Sequence, residues 1–582
     1  VLDPTKRIQE NLIFLYGKRE ANRAWYIIQG TLTRFKEQNP LPRETTPTEL
    51  FTERDAILIT YGDQFQEHSS SPLKTLAQFL GKYIGDLIPC IHLLPFYPYS
   101  SDDGFSVTNY RQVNPDLGTW EDIARLNHNY HLMFDAVINH ISRSSDWFQN
   151  YLEGNAPYLS YFITVDPATD LSGVTRPRDL PLLTPVETES GIRHVWTTFS
   201  PDQIDLNYAS PDLLIEIIDL LLFYIQKGAQ IIRLDAIAYL WKEIGTTCIH
   251  LPQTHAVVKI FRAITDLVAP GTVLITETNV PHKENVSYFG EPLSNSLGDE
   301  AHMVYQFSLA PLVIHTFHTQ NARILSQWVD SLELPFTNTT FFNFIASHDG
   351  IGVRPVEGLL DQTEVQDLVN RTQAHGGKVS YKTNPDGSRS VYELNITLYD
   401  ALNNPNQPDP GVDIPRFLAS QAIMLSIAGV PGIYVHSLFG SRNCHKCASE
   451  SGRARSINRE KFKLQDLETA LDDPETIISQ VFSGYAKLFR VRGEQPAFHP
   501  HASQKVLLTG DRVFGLFRQA QDTHQTLICL INISENIQQI DLHDQVPDGF
   551  SHWLDLLDEG VYHLHKPIHL DPYQVMWLEG IP

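Results

Sequence analysis

Apolar residues fall along this chain in two alternating patterns. Short, near-continuous runs rich in β-branched residues occur at 56–61, 90–95, 132–139, 230–236, 273–278, 303–307, 340–346 and 432–435. Between them lie longer stretches of helical period. Runs with no polar alternation predict strands buried on both faces, which is the signature of a parallel sheet covered by helices. Eight such units predict an α/β fold closed into a (β/α)8 TIM barrel.

The intervals between runs divide the chain further. Residues 1–52 read as an N-terminal helical extension, with Ile8, Leu12 and Leu15, then Trp25, Ile28 and Leu32 at helical spacing, until Pro40, Pro42 and Pro47 interrupt the pattern. Residues 53–140 hold the first part of the barrel. The interval 141–200 is too long for a plain crossover and reads as an inserted subdomain after strand three, containing Thr175-Arg-Pro-Arg-Asp-Leu-Pro. The second part of the barrel, 201–502, contains a long lid loop after strand seven, from 350 to about 415, with the turn-rich segment Asn384-Pro-Asp-Gly-Ser-Arg. Loops of this length usually carry function. From 503 to 582 the pattern changes to short alternating strands at 513–518, 526–533, 538–542 and 575–578, which predict a small C-terminal antiparallel β domain.

Composition acts mainly by exclusion. Among 582 residues, 42% are apolar and 19% charged, as in a soluble globular protein. The best apolar run, 213–225, is broken by Glu216 and Asp219 and is too short to span a bilayer. The opening Val1-Leu-Asp-Pro-Thr-Lys6 has no apolar signal core, so a cytoplasmic location is expected. A net charge of −24 argues against nucleic acid as a partner. An anionic substrate would need local arginines, since salt confines the global repulsion to roughly 8 Å. Five cysteines (Cys90, Cys248, Cys444, Cys447, Cys529) fit a reduced protein. Cys444-His-Lys-Cys447 has metal or redox spacing, but lacks a second ligand pair and a helical context, so it reads as a surface loop.

The candidate chemistry lies at the ends of the strand runs. Arg233-Leu-Asp235, Thr276-Glu277 and Ser347-His348-Asp349 close strands four, five and seven. Carboxylates at strand C-termini are how a barrel of this kind builds an active site. Neighbouring strands lie about 4.8 Å apart, so Asp235 and Glu277 are expected to face each other across a few ångströms. That spacing suits a retaining glycosidase, whose carboxyl groups stand about 5–5.5 Å apart. Asp235 would attack the anomeric carbon, and Glu277 would protonate the departing oxygen. Arg233, on the same strand face, would keep Asp235 ionised. Glu277 must begin protonated, which calls for burial or nearby negative charge. His348 and Asp349 would grip sugar hydroxyls and favour the cationic transition state.

These residues sit in motifs. Tyr61-Gly-Asp, Leu93-Leu-Pro-Phe, Asp135-Ala-Val-Ile-Asn-His140, Arg233-Leu-Asp-Ala, the glutamate after strand five and His348-Asp-Gly-Ile-Gly together resemble glycoside hydrolase family 13, the α-amylase family. Asp102-Asp-Gly-Phe105, Gly118-Thr-Trp, Phe199-Ser-Pro-Asp-Gln203-Ile-Asp, Trp241-Lys-Glu-Ile-Gly-Thr and Ser456-Ile-Asn-Arg459 resemble its sucrose phosphorylase branch. The resemblance implies transfer of glucose between a small acceptor and inorganic phosphate, with no metal and no cofactor. It implies Asp235 as nucleophile, Glu277 as acid/base and Asp349 as transition-state stabiliser. It places Asp102, His140, Arg233, His348 and Arg455 on the glucosyl ring, with Phe105, Phe199, Gln203 and Tyr239 as walls. Taken alone, Phe105 and Phe199 read better as core aromatics. Arg178 matches a phosphate-binding arginine and Tyr392 a tyrosine of the acceptor loop; on its own, Arg178 also fits a surface salt bridge.

The acceptor side departs from typical sucrose phosphorylases. Thr278-Asn279 follows Glu277 where those enzymes usually carry a histidine, Val353-Arg-Pro-Val-Glu-Gly follows the His-Asp motif, and Arg389-Ser390 stands where an acidic residue is usual. Arg176, Arg354 and Arg389 would make the acceptor side cationic and suit a carboxylate or phosphate. The segments around Arg176, Cys248, Asn279 and His302 are most similar to glucosylglycerate phosphorylases. The expected activity is therefore reversible phosphorolysis of 2-O-α-glucosylglycerate to glucose 1-phosphate and glycerate. The alternatives are phosphorolysis of sucrose, sucrose 6′-phosphate or glucosylglycerol, an α-glucoside hydrolase or transglucosidase, and an inactive carbohydrate-binding relative. The sequence leaves open whether the chain is a monomer or a homodimer.

Overall fold

A computed structural model of the chain describes residues 3–39, 50–178, 180–293, 296–384, 388–546 and 549–582. Pro40, Pro42, Pro47, Asp179 and residues 385–387 lie outside the described residues. Eight parallel strands form a closed barrel: β1 (Ile57–Thr60), β2 (Cys90–Leu93), β3 (His131–Ala136), β4 (Ala229–Leu234), β5 (Val273–Thr276), β6 (Met303–Tyr305), β7 (Thr340–Phe344) and β8 (Val430–Tyr434). Each pairs with the next, and β8 closes on β1 through Gly432 opposite Ile57. Every residue of β1, β2, β5, β6, β7 and β8 is buried, which is why these runs show no alternation. The ladders stop one to three residues before the apolar runs do. Those last residues leave the sheet and turn into the barrel rim.

Gly432 reveals how tightly the interior is filled. A Cβ there would stand 2.2 Å from Cζ of Phe342 on the neighbouring strand, so the Phe342 ring takes the space a side chain would need.

The N-terminal extension is helical from Pro4 to Gln38 but is broken at Gly17, whose φ of +72° lies in the left-handed region. The break therefore precedes the proline cluster the sequence pointed to. Its two segments lie on the barrel helices Pro211–Gln226 and Pro252–Val268 and bury Ile8, Leu12, Ile28 and Leu32. Arg7 pairs with Asp266 at 2.6 Å.

Three additions stand on the barrel. Between β3 and β4, the hairpin Leu183–Thr188/Gly191–Trp196 covers a small core of its own around Leu171, Leu182 and Trp196. Between β7 and β8, Ile351–Gly352, Lys378–Thr383 and Arg389–Asn395 form a three-stranded antiparallel sheet. The C-terminal region is a six-stranded sheet with a separate core around Leu530, Trp553 and Leu578. It is tied to the barrel by Trp577 Nε1 donating to Ser426 Oγ at 3.0 Å and by Arg518 donating to the Ser426 carbonyl at 2.8 Å. No helix among the described residues is long and apolar enough to cross a membrane.

Cys444 and Cys447 correct the expectation of a reduced surface loop. They are joined by a disulfide, and Cys444 caps the helix His445–Ser451. A spacing of three in a first helical turn brings both side chains to one face. Cys90, Cys248 and Cys529 are free and buried.

Candidate active site

The site grows out of the register of β3, β4 and β5. Asp135 lies opposite Arg233, and Arg233 lies opposite Ile275, so the Arg233 guanidinium projects between two acid-bearing strand ends. It donates to Asp135 and, at 2.7 Å, to Asp235; its other nitrogen stands 3.9 Å from Glu277. Ala236 adopts φ +48°, a costly conformation for a residue with a side chain. The twist aims its N–H at Glu277 Oε2, 2.9 Å away. Asp235 and Glu277 thus follow the last ladder pair of neighbouring strands and share one buried cation.

Asp349 approaches from the end of β7. Arg455 clamps it, while also making a two-point contact with Glu393 of the loop sheet. Arg459 stands 3.7 Å from Asp349 and donates to the His348 carbonyl at 2.7 Å. The His348 ring lies parallel to that of Phe105, 5.0 Å between centroids. Gln203 Nε2 donates to Asp102 at 3.3 Å and to the Phe105 carbonyl at 3.0 Å, and His140 Nε2 lies 2.9 Å from that same carbonyl. Asp102 reaches this position through a left-handed backbone, φ +56°. These groups except Arg459, with Phe199, Arg178, Asn279 and Tyr392, line one pocket. Phe105 and Phe199 are therefore pocket walls, where the residues taken alone had suggested core.

The carboxyl groups do not share one electrostatic fate. Burial pushes Glu277 up to about 7; Arg233 opposes this, and the negative charges of Asp235 and Asp349 add to it. Burial also raises Asp235, outweighing Arg233, so the arginine does not by itself hold that group in the ordinary carboxylate range. For the pair, the proton belongs on Glu277, because Arg233 bonds Asp235 directly and Glu277 only at 3.9 Å. Asp349 behaves oppositely. Burial would raise it, but Arg455, with Arg459 and Arg233, holds it well below the usual range. Burial and the nearby arginines push His348 down to about 3 despite Asp349, so its imidazole is neutral.

The acceptor candidates are divided. Arg178 and Asn279 line the catalytic pocket. Arg176, Arg354 and Tyr239 instead line a side chamber, with Lys382 and Tyr392. Tyr239, expected as a wall of the glucosyl site, is not in the lining of the catalytic pocket and stands behind Phe199, edge to face at 5.6 Å. Arg389 lies apart from Arg176 and Arg354, over the Tyr381 ring at 5.4 Å and facing the outer mouth. Alternation in the loop sheet sends Arg389 and Lys382 to opposite faces, and Arg176 and Arg354 come to the chamber from outside its strands. Sequence reading missed Glu393 and His92. Glu393 follows Tyr392 directly, and its signal is an acid between Tyr392 and Leu394. His92 holds Asp135 at 2.7 Å from within β2, one more polar residue in a buried run.

With this geometry in place, likeness to known proteins is informative. The α-amylase catalytic domain profile matches residues 73–354. The glucosylglycerate phosphorylase of Spirochaeta thermophila is 46% identical over 540 residues, covering 92% of this chain and 91% of the relative. The chain belongs to the α-amylase family. Within that family, the glucosylglycerate phosphorylase of Escherichia coli is 46% identical over 562 residues, 95% of this chain and 98% of its own. The crystal structure of sucrose 6F-phosphate phosphorylase from Thermoanaerobacter thermosaccharolyticum superposes with a TM-score of 0.71 at 26% identity, covering 83% of this chain and 94% of that one. The family's barrel and the phosphorylases among its relatives make this chain an enzyme.

Proposed function

We propose that this protein is a retaining glycoside phosphorylase that interconverts 2-O-α-glucosylglycerate and phosphate with glucose 1-phosphate and glycerate. Likeness to glucosylglycerate phosphorylases over nine-tenths of the chain supports the substrate. The observation that carries the chemistry is the unequal sharing of Arg233 between Asp235 and Glu277. It leaves one acid ionised to attack and the other protonated to donate.

Asp235 attacks the anomeric carbon while Glu277 gives its proton to the glyceryl oxygen, which departs as glycerate. The glucosyl group is then held as an ester of Asp235. A phosphate oxygen attacks from the side the glycerate left, restoring the α configuration and freeing Asp235. Phosphate arrives ionised, so this second step asks little of Glu277 as a base. Asp349 stabilises positive charge on the ring, and its clamp by Arg455 fixes it there. Asp102, His140, Gln203, His348 and Arg455 take ring hydroxyls, with Phe105 and Phe199 as walls. Arg178 offsets the repulsion between incoming phosphate and Asp349. A cytoplasmic location suits the product, since a sugar phosphate is made where phosphate is abundant.

The test is incubation with 2-O-α-glucosylglycerate, with and without phosphate, followed by assay of glucose 1-phosphate and free glucose. Phosphate-dependent glucose 1-phosphate is expected. Free glucose at the same rate without phosphate would make the protein a hydrolase. In the reverse direction, preference for glycerol, fructose or fructose 6-phosphate over glycerate would reassign the acceptor.

A further inference from the structure

The loop sheet between β7 and β8 stands as a wall between two cationic spaces. On one side is the chamber of Arg176, Arg354 and Lys382, which meets the catalytic pocket at Tyr392. On the other is the outer mouth, where Arg178, Arg389, Arg453 and Arg455 converge. The division is built into the strands. In the hairpin Lys378–Thr383/Arg389–Asn395, Tyr381 and Arg389 stack on the outer face, while the next residue, Lys382, lines the chamber.

Among the described residues, the chamber carries three cations against one lining carboxylate, Glu357. Its ion pairs are long: Lys382 to Glu357 at 3.6 Å and Arg354 to Glu284 at 3.4 Å. Both cations are largely buried, with 18% and 17% of their side chains exposed. Burial, with Arg354 nearby, lowers Lys382 against the pull of Glu357. Such a chamber favours an anion that brings its own charge.

The two anionic co-substrates differ in where that charge sits. In phosphate, the attacking oxygen belongs to the charged group, so the whole ion must enter the catalytic pocket, where Arg178 lies and Arg176 does not. In glycerate, the reacting hydroxyl and the carboxylate are on different carbons, so the charge projects beyond the reacting atom. We propose that the wall sorts the two: the acceptor's carboxylate is seated in the chamber by Lys382 and Arg354, while phosphate is held by Arg178 on the other side of Tyr392. The two anions react at one carbon but are recognised by separate cations. This rests on the phosphorylase reading above and adds Lys382 as a determinant of acceptor choice.

The experiment compares Lys382→Met and Arg178→Gln with the unaltered enzyme, using KM for phosphate in phosphorolysis and KM for glycerate and glycerol in synthesis. Lys382→Met should raise the glycerate KM about tenfold or more, the loss of one charge-assisted hydrogen bond, and move the phosphate KM less than twofold. Neutral glycerol should gain relative to glycerate by the same factor. Arg178→Gln should do the reverse, raising the phosphate KM more than the glycerate KM. Lys382→Arg should restore most of the glycerate affinity, which a merely structural lysine would not require. If both KM values move together in each variant, the anions share one seat and the proposal is wrong. If Lys382→Met weakens glycerol as much as glycerate, the lysine does not read the carboxylate and the proposal is equally wrong. If the unaltered enzyme forms no glucose 1-phosphate, the phosphorylase reading itself fails.

Discussion

Glu277→Gln separates the two half-reactions, because only the first needs a proton donor. The perturbation keeps the side-chain volume and the hydrogen bond from the Ala236 amide, and removes the proton that burial holds on the group up to about pH 7. A positioned general acid contributes roughly 10²–10⁴-fold. Loss of kcat/KM in that range is expected with 2-O-α-glucosylglycerate, whose alkoxide leaves poorly. With α-glucosyl fluoride the departing ion needs no proton, so the loss should stay below about tenfold. Phosphate should still collect the glucosyl group, and glucose 1-phosphate remains the product. The pH profile gives a second reading of the same group. In the unaltered enzyme, kcat/KM for the glyceryl substrate should fall about tenfold per unit above pH 7, as Glu277 ionises. With the fluoride, or in the variant, that limb should disappear. Stopped assays of glucose 1-phosphate across pH 5–9 (on the order of one point per half unit, spanning the ionisation) are sufficient. Equal losses with both donors would refute the assignment, since they would mean that Glu277 does something other than protonate the leaving group.

Asp235→Ala should abolish turnover with both donors, and mass spectrometry of Glu277→Gln caught with the fluoride should place the glucosyl adduct on the peptide containing Asp235; an adduct elsewhere overturns the nucleophile. Glu393→Gln loosens the two-point hold on Arg455 and should lower kcat/KM for the glucoside by about 10–100-fold, within the range for a broken charged contact, with little change in melting temperature. Arg492→Met removes donors from the carbonyls of Glu53, Leu425, Gly429 and Phe498 and should cost about 2–4 kcal/mol of stability, measured by thermal or denaturant unfolding. Gly432→Ala drives a methyl group into the Phe342 ring and should destabilise by about 3 kcal/mol or more; an unchanged melting temperature would show that the barrel interior yields more easily than its packing implies.

The barrel was legible because its strands are buried on both faces, which leaves continuous apolar runs such as the one ending at Thr276. The placing of Asp235 and Glu277 at adjacent strand ends followed from chain order alone. What sequence order does not carry is which charges meet across long separations. Arg455 reaches both Asp349 and Glu393 from a loop beyond β8, so the role of Glu393 as the second jaw of that clamp appears only in three dimensions. Arg389 was grouped with Arg176 and Arg354 because all three are arginines in long loops. Arg389 stands on the outer face of the loop sheet, whereas Arg176 and Arg354 reach the chamber from segments outside its strands. Arg233 bonds Asp235 directly and so decides which acid of the pair keeps the proton, but burial, which depends on the whole fold, still raises Asp235 above its ordinary value.

The −24 charge of the chain and the anionic substrates proposed for it are reconciled at short range. Each acid at the rim is held by a guanidinium before any ligand arrives: Asp135 and Asp235 by Arg233, Asp349 and Glu393 by Arg455, Asp103 by Arg459. Three arginines thus bond five carboxylates, which lessens but does not cancel the negative charge an incoming anion meets, and Glu277 carries its own proton near neutrality. Such matching is costly to bury unless each pair is closely bonded, and here the arginines meet their acids directly. The distant surface charge is screened beyond roughly 8 Å, so what phosphate or a carboxylate meets is the arginines and the lysine that stand between the acids.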